Sequence, residues 1–149
     1  MKVSVSIPIK GTKEDIWSVI TDIEHSEQNI SGINKIEILE KSESQLNGLK
    51  WRETRTMFGK EATEVMWITE SELNKYYKTR AESHGMIYIS TMSIESADDG
   101  EVLTMGFEGE AQSFVGKIMG VIFGGLMKSS TEKALMKDLE DIKGVVESR

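Results

Sequence analysis

The sequence predicts an α+β chain: a curved antiparallel sheet of about seven strands wrapped around a long C-terminal helix, with one or two short helices after the first strand. Three observations predict it. The N-terminus alternates apolar and polar residues, the stretch from Ile33 to Glu110 repeats that period-2 pattern between turn signals, and the tail switches to helical spacing. An antiparallel sheet of that length curves, and the terminal helix is the one element long enough to cover its concave face.

The elements follow in order. Val3, Val5, Ile7 and Ile9 alternate with Lys2, Ser4 and Ser6, a strand with one buried face, and Pro8, the sole proline, suits an edge or a strand end. Thr12, then Glu14 and Asp15, open a short helix whose apolar residues Ile16, Trp17, Ile20 and Ile23 recur at helical spacing, before a turn around Ser26 to Asn29. The strands "INKIEILEKSE", "LKWRETRTMF", "EATEVMWITES", "KYYKTRAES", "MIYISTMSIES" and "EVLTMGFEGE" come next. Their separators are Asn47-Gly48, Gly59-Lys60, the "SELNK" segment, His84-Gly85 and "ADDG", which gives a meander. Phe114, Ile118, Val121, Ile122, Leu126, Leu135, Leu139, Ile142 and Val146 then mark an apolar helical stripe. Gly120, Gly124 and Gly125 predict a kink there, or two helices meeting near Gly125 to Ser129.

The 149 residues suit one domain, 1–149. With 38% hydrophobic and 29% charged residues the chain is too apolar to be disordered, and a net charge of -7 without a basic stripe argues against nucleic acid. The absence of cysteine excludes disulfides and thiolate chemistry. The opening "MKVSVSIPIKG" has no leader-like apolar stretch, which predicts a cytoplasmic protein. The greasiest run, Phe114 to Met127, contains Lys117 and falls short of the roughly 20 residues that span a bilayer, so a buried helix without stable membrane insertion is expected.

The segments "SIPIKGTKEDIWSVITDIEH", "GLKWRETRTMFGKEATEVMWITE" and "LEDIKGVVES", in that order over the full length, resemble the START-like (SRPBCC) superfamily and within it the polyketide cyclase/dehydrase branch. Members of that branch often carry an apolar strand, a helix with "vW.vi.D" and a later strand of the form "G..w.Etr...g". The chain departs from the usual pattern in lacking proline in "SELNK". The resemblance implies the helix-grip fold and a deep cavity for small hydrophobic or amphipathic molecules, aromatic and polyketide-like ones included. It implies no single chemistry, since the superfamily holds cyclases, dehydratases, hydrolases, carriers and receptors.

A two-residue turn at Gly59-Lys60 would set Arg55 opposite Glu64, Glu53 opposite Met66 and Trp51 opposite Ile68. One face then carries Trp51, Glu53, Arg55, Met57, Ala62, Glu64, Met66 and Ile68, the better candidate for a cavity wall. Charges turned toward a partly dry space must pair or stay wet. Arg55 is therefore either an anchor for a ligand carboxylate, enolate or phenolate, with Glu53 or Glu64 as general base, or one half of a cross-strand salt bridge. Tyr77, Tyr88, Ser90, Met105 and Phe107 from later strands and Ile118 and Ile122 from the helix complete the expected ligand-binding set. His25 and His84 read as surface histidines, and Asp138, Glu140 and Asp141 as a solvated helix face. No spacing suits a metal, and no Walker or dinucleotide glycine motif suggests a cofactor. The expected function is binding of a small hydrophobic molecule. The alternatives are a metal-free cyclase or dehydratase using Glu53, Arg55 or Glu64, and an interaction module presenting Phe58, Val65 and Trp67, as monomer or homodimer.

Overall fold

The computed structural model describes residues 2–43, 46–57, 59–111 and 114–149, the side chains of 114–127 excepted. Strands β1 (Lys2–Ile9), β2 (Ile33–Glu40), β3 (Lys50–Met57), β4 (Lys60–Glu72), β5 (Tyr76–Ser83), β6 (Met86–Ala97) and β7 (Gly100–Ala111) form one antiparallel sheet. Its order is β1-β7-β6-β5-β4-β3-β2, a meander whose last strand returns to pair with the first. Helices α1 (Lys13–Ile20) and α2 (Ser26–Asn29), with a 3₁₀ turn at Ile23–His25 between them, link β1 to β2, and α3 (Phe114–Glu147) follows the sheet. This is the helix-grip arrangement.

Local chemistry explains the boundaries. β1 is an edge strand, so Pro8 sits there without costing a second ladder its N–H bond. The Thr12 hydroxyl accepts the Asp15 N–H at 3.0 Å and caps α1. Thr12→Ala is expected to cost about 1 kcal/mol of stability, read from a urea denaturation curve, and Thr12→Ser to restore most of it. His84 and Gly85 both have positive φ, +52° and +75°, the geometry of a tight hairpin between β5 and β6.

Two sequence expectations are corrected, and one alternative for the C-terminal helix is closed. Met57 pairs with Lys60, so Lys60 belongs to β4 and not to a Gly59-Lys60 turn, and Gly59 has φ +77°. Arg55 therefore lies opposite Ala62 and not Glu64, while Glu53 lies opposite Glu64 and Trp51 opposite Met66. Each partner moves by two residues, which keeps every side chain on its expected face. Asn47-Gly48 is not a tight hairpin: Glu40 pairs with Lys50, and the residues before β3 fold onto β4 through Gly48 N–H to Ile68 O at 2.9 Å. Helix α3 is continuous from Phe114 to Glu147 and not a pair of helices.

The interior has two zones. At one end Ile9, Ile16, Ile94, Leu103, Leu139, Ile142 and Val146 are buried and pack α1 and the C-terminal half of α3 onto the sheet. At the other end the inward side chains become progressively more exposed toward the β3–β4 and β5–β6 hairpins. On the convex face Val65 and Trp67 are half-buried, and Lys50 Nζ lies 5.7 Å from the Trp67 ring centre; Phe58 lies outside the described residues. The large hydrophobic side chains exposed among the described residues are Leu39 and Leu73. Among the described residues no helix is long and apolar enough to cross a membrane.

Candidate functional site

Between the concave face and α3 lies a cavity of about 470 Å³. Its wall is built from alternate residues of five strands, as the pleat requires: Trp51, Glu53, Arg55 and Met57; Ala62, Glu64 and Met66; Tyr77, Thr79 and Ala81; Met86, Tyr88, Ser90 and Met92; Met105 and Phe107. Thr131, Leu135, Asp138 and Ile142 of α3 face them, and Val19, Ile20, Ile23 and Ile30 close the packed end. Ile118 and Ile122 lie outside the side chains described.

The charge on this face is organised by Arg55. Its Nε donates to Glu53 Oε2 at 2.9 Å and its Nη1 to Asp138 Oδ2 at 3.1 Å, while Trp51 Nε1–H donates to Glu53 Oε1 at 3.3 Å. The side chains of Arg55, Glu53 and Asp138 are 16%, 10% and 6% exposed, so the group is largely dry. A guanidinium shared by two carboxylates is held more firmly protonated than usual: burial opposes the charge, and the fields of Glu53 and Asp138 outweigh it. The salt-bridge reading of Arg55 thus has different partners from Glu64, and one of them comes from the helix.

Asp138 is the main correction to the sequence reading, which placed it on a solvated helix face. Of that trio Glu140 is exposed, Asp141 accepts hydrogen bonds from the Ser31 N–H and hydroxyl at 2.9 and 2.8 Å, and Asp138 is buried. Asp138 stands three residues after Leu135 and four before Ile142, both buried. That i+3/i+4 placement is the signal that could have found it.

Burial holds the Asp138 carboxyl above the usual carboxylate range, against the pull of Arg55. The folded state then binds this proton more tightly than the unfolded chain. The group's stabilising contribution is therefore present below the unfolded value of 3.8 and is lost as pH rises through the folded value. Asp138→Asn removes that titration yet keeps an oxygen that accepts from Arg55. Urea denaturation over a pH series should find it within about 1 kcal/mol of wild type near neutrality and gaining on wild type as pH rises out of the acid range.

The remaining polar groups differ in availability. The Tyr77 hydroxyl donates to Ile20 O at 2.9 Å, and burial together with the Glu53 charge pushes the phenol well above its ordinary value. Its edge meets Trp17 at 6.2 Å between ring centres, so Tyr77 is fixed to α1. Tyr88 stacks on Phe107 at 5.6 Å, and its phenol is raised by burial and by Glu64. Gly109 opposite Tyr88 makes room for the ring, because a Cβ there would stand 3.3 Å from two ring carbons. Among the described residues, Glu64, Tyr88 and Ser90 line the cavity and make no side-chain hydrogen bond, and Asn29, Thr79, Thr91 and Thr131 are further polar members of the lining. His84, read from sequence as a surface residue, is exposed and sits on the cavity rim. His25 bonds Asp22 at 2.9 Å, away from the cavity.

Residues 1–147 match the family described as polyketide cyclase / dehydrase and lipid transport. The chain belongs to that family. Solved structures similar to this polyketide cyclase / dehydrase family member share its fold at low identity. A protein from Thermus thermophilus is 13% identical at a TM-score of 0.81, over 99% of this chain and 98% of that one. A START superfamily protein from Mycobacterium smegmatis is 19% identical at a TM-score of 0.80, over 99% and 97%. The Zhui aromatase/cyclase from Streptomyces sp. R1128 is 16% identical at a TM-score of 0.78, over 100% and 94%. A search of the curated proteins finds no match.

Proposed function

We propose that this family member binds one small, largely apolar molecule in the cavity beneath α3. The observation that carries the reading is the space itself: about 470 Å³, within the range of small-molecule sites, walled by methionine, aromatic and aliphatic side chains with few open polar groups. Methionines 57, 66, 86, 92 and 105 give that wall a shape that adapts to its occupant. Family membership supports a role of this kind, either as carrier or as cyclase. N-phenyl-1-naphthylamine, a neutral fluorescent probe, should bind one per chain and quench tryptophan emission through Trp51. Native mass spectrometry of protein purified from cells tests for a natural occupant. A flat titration together with a bare protein mass would overturn the proposal.

A second reading, a cyclase or dehydratase, is favoured by one observation: Glu64 and Tyr88 line the same cavity, where burial, with the charge of Glu64 added, raises the Tyr88 phenol. A carboxylate that accepts a proton and a phenol that stays protonated are the two groups needed to deprotonate an activated carbon and protonate a departing oxygen. Glu53 is already engaged with Trp51 and Arg55 and is the weaker base candidate. On this reading Glu64→Gln abolishes turnover of a polyketide-like substrate while the naphthylamine probe still binds. Equal turnover in the variant removes Glu64 from the mechanism.

A further inference from the structure

Among the described side chains the charges lining the cavity do not balance. Glu53, Glu64 and Asp138 contribute three carboxylates, and the cationic side chain facing them among the described residues is the single guanidinium of Arg55. That guanidinium already donates to Glu53 and Asp138, so it is not free to receive an acid. Even with Asp138 protonated, Glu53 and Arg55 cancel and Glu64 remains. Glu64, an acceptor-only carboxylate, makes no side-chain hydrogen bond among the described residues, and the lining also holds the hydroxyls of Thr79, Tyr88, Ser90, Thr91 and Thr131 and the amide of Asn29. His84, the other basic residue of the described lining, is exposed to water. In a space with apolar walls a like charge is poorly screened, and a ligand carboxylate would lose its hydration without gaining a free cation from the described side chains.

We infer that the site selects amphiphiles whose polar head donates hydrogen bonds and carries no negative charge, such as alcohols, phenols or amines, and that it rejects carboxylates such as fatty acids. The inference rests on the binding reading above and adds a head-group rule to it. The donor of such a head meets Glu64, its oxygen or nitrogen lies within the reach of Tyr88 and Ser90, and its apolar body lies along Met66, Met92 and Phe107. Discrimination of this kind comes less from an attractive contact than from the penalty placed on the wrong head.

The test is competition against N-phenyl-1-naphthylamine by three probes with the same chain, decanol, decylamine and decanoate, at about pH 8, where the acid is ionised. Decanol and decylamine should displace the dye at least 10-fold more effectively than decanoate. Glu64→Gln should bring decanoate to within about 3-fold of decanol, and a thermal melt that matches wild type shows that the variant is folded. Decanoate binding as tightly as decanol to the wild type overturns the head-group rule and leaves the binding reading standing. An unchanged ratio in folded Glu64→Gln also overturns it. Failure of all three probes and of the dye overturns the binding reading, and the rule with it.

Discussion

Arg55→Ala is expected to lower the free energy of unfolding by about 3–5 kcal/mol. The magnitude comes from what is left behind more than from what is removed. The Glu53 and Asp138 side chains are 10% and 6% exposed, and without the guanidinium two carboxylates share a dry space in which, among the described residues, Trp51 Nε1–H alone donates to one of them. Arg55 also joins β3 to α3 through Asp138, so the loss extends to the seating of the helix over the sheet. The pH dependence has a definite sign. Both stranded carboxyls would take up protons more readily in the folded state than in the unfolded chain, so the variant's deficit should shrink as pH falls and be largest near neutrality. Adding Asp138→Asn to Arg55→Ala should recover about 1–2 kcal/mol by removing one of the two buried charges. Urea denaturation followed by tryptophan emission at about pH 5 and pH 8 reads both effects. A deficit below about 1 kcal/mol at neutral pH would mean that water reaches these carboxylates and that the pairing is only decorative.

The sheet was legible because the period-2 pattern and the turn residues agree along the whole chain from Ile33 to Ala111. The inward face of β3 and β4 was legible for the same reason, although the turn was placed one residue late. Sliding a hairpin turn by one position changes the partners by two, and a shift of two preserves the side of the sheet. It does change which charges meet, and that is why Arg55 was matched to Glu64 when its neighbours are Glu53 and Asp138. Asp138 was hidden by its company: Lys137, Glu140 and Asp141 make that turn of α3 look solvated, and the packing of helix on sheet decides which residue of the turn points inward. The cavity itself has no sequence signature, because alternating apolar residues serve a filled core and a lined pocket equally. What separates the packed end from the hollow one is how far α3 stands from the sheet, a tertiary quantity.

Ser90→Phe is expected to weaken binding of N-phenyl-1-naphthylamine on the order of 100-fold, about 2.8 kcal/mol, with little change in thermal stability. Ser90 lies on the inward face of β6 between buried Met92 and half-buried Tyr88, with Thr79 beside it on β5 and Phe107 on β7. Ser90 lines the open volume, so a phenyl ring there extends into space that no described side chain fills. Overpacking a filled core costs about 1–3 kcal/mol because neighbours must move, whereas a ring added to a void gains apolar contact and forces little displacement. Stability and binding should therefore separate in this variant, which a general folding defect would not allow. Thr63→Phe, on the exposed outer side of β4 opposite Thr54, adds the same ring without entering the cavity and should bind the probe as wild type does. If Ser90→Phe binds the dye undiminished, the dye occupies some other surface. The shallow groove lined by Lys75, Lys78 and Glu95 on the far side of the sheet would then be the next place to look.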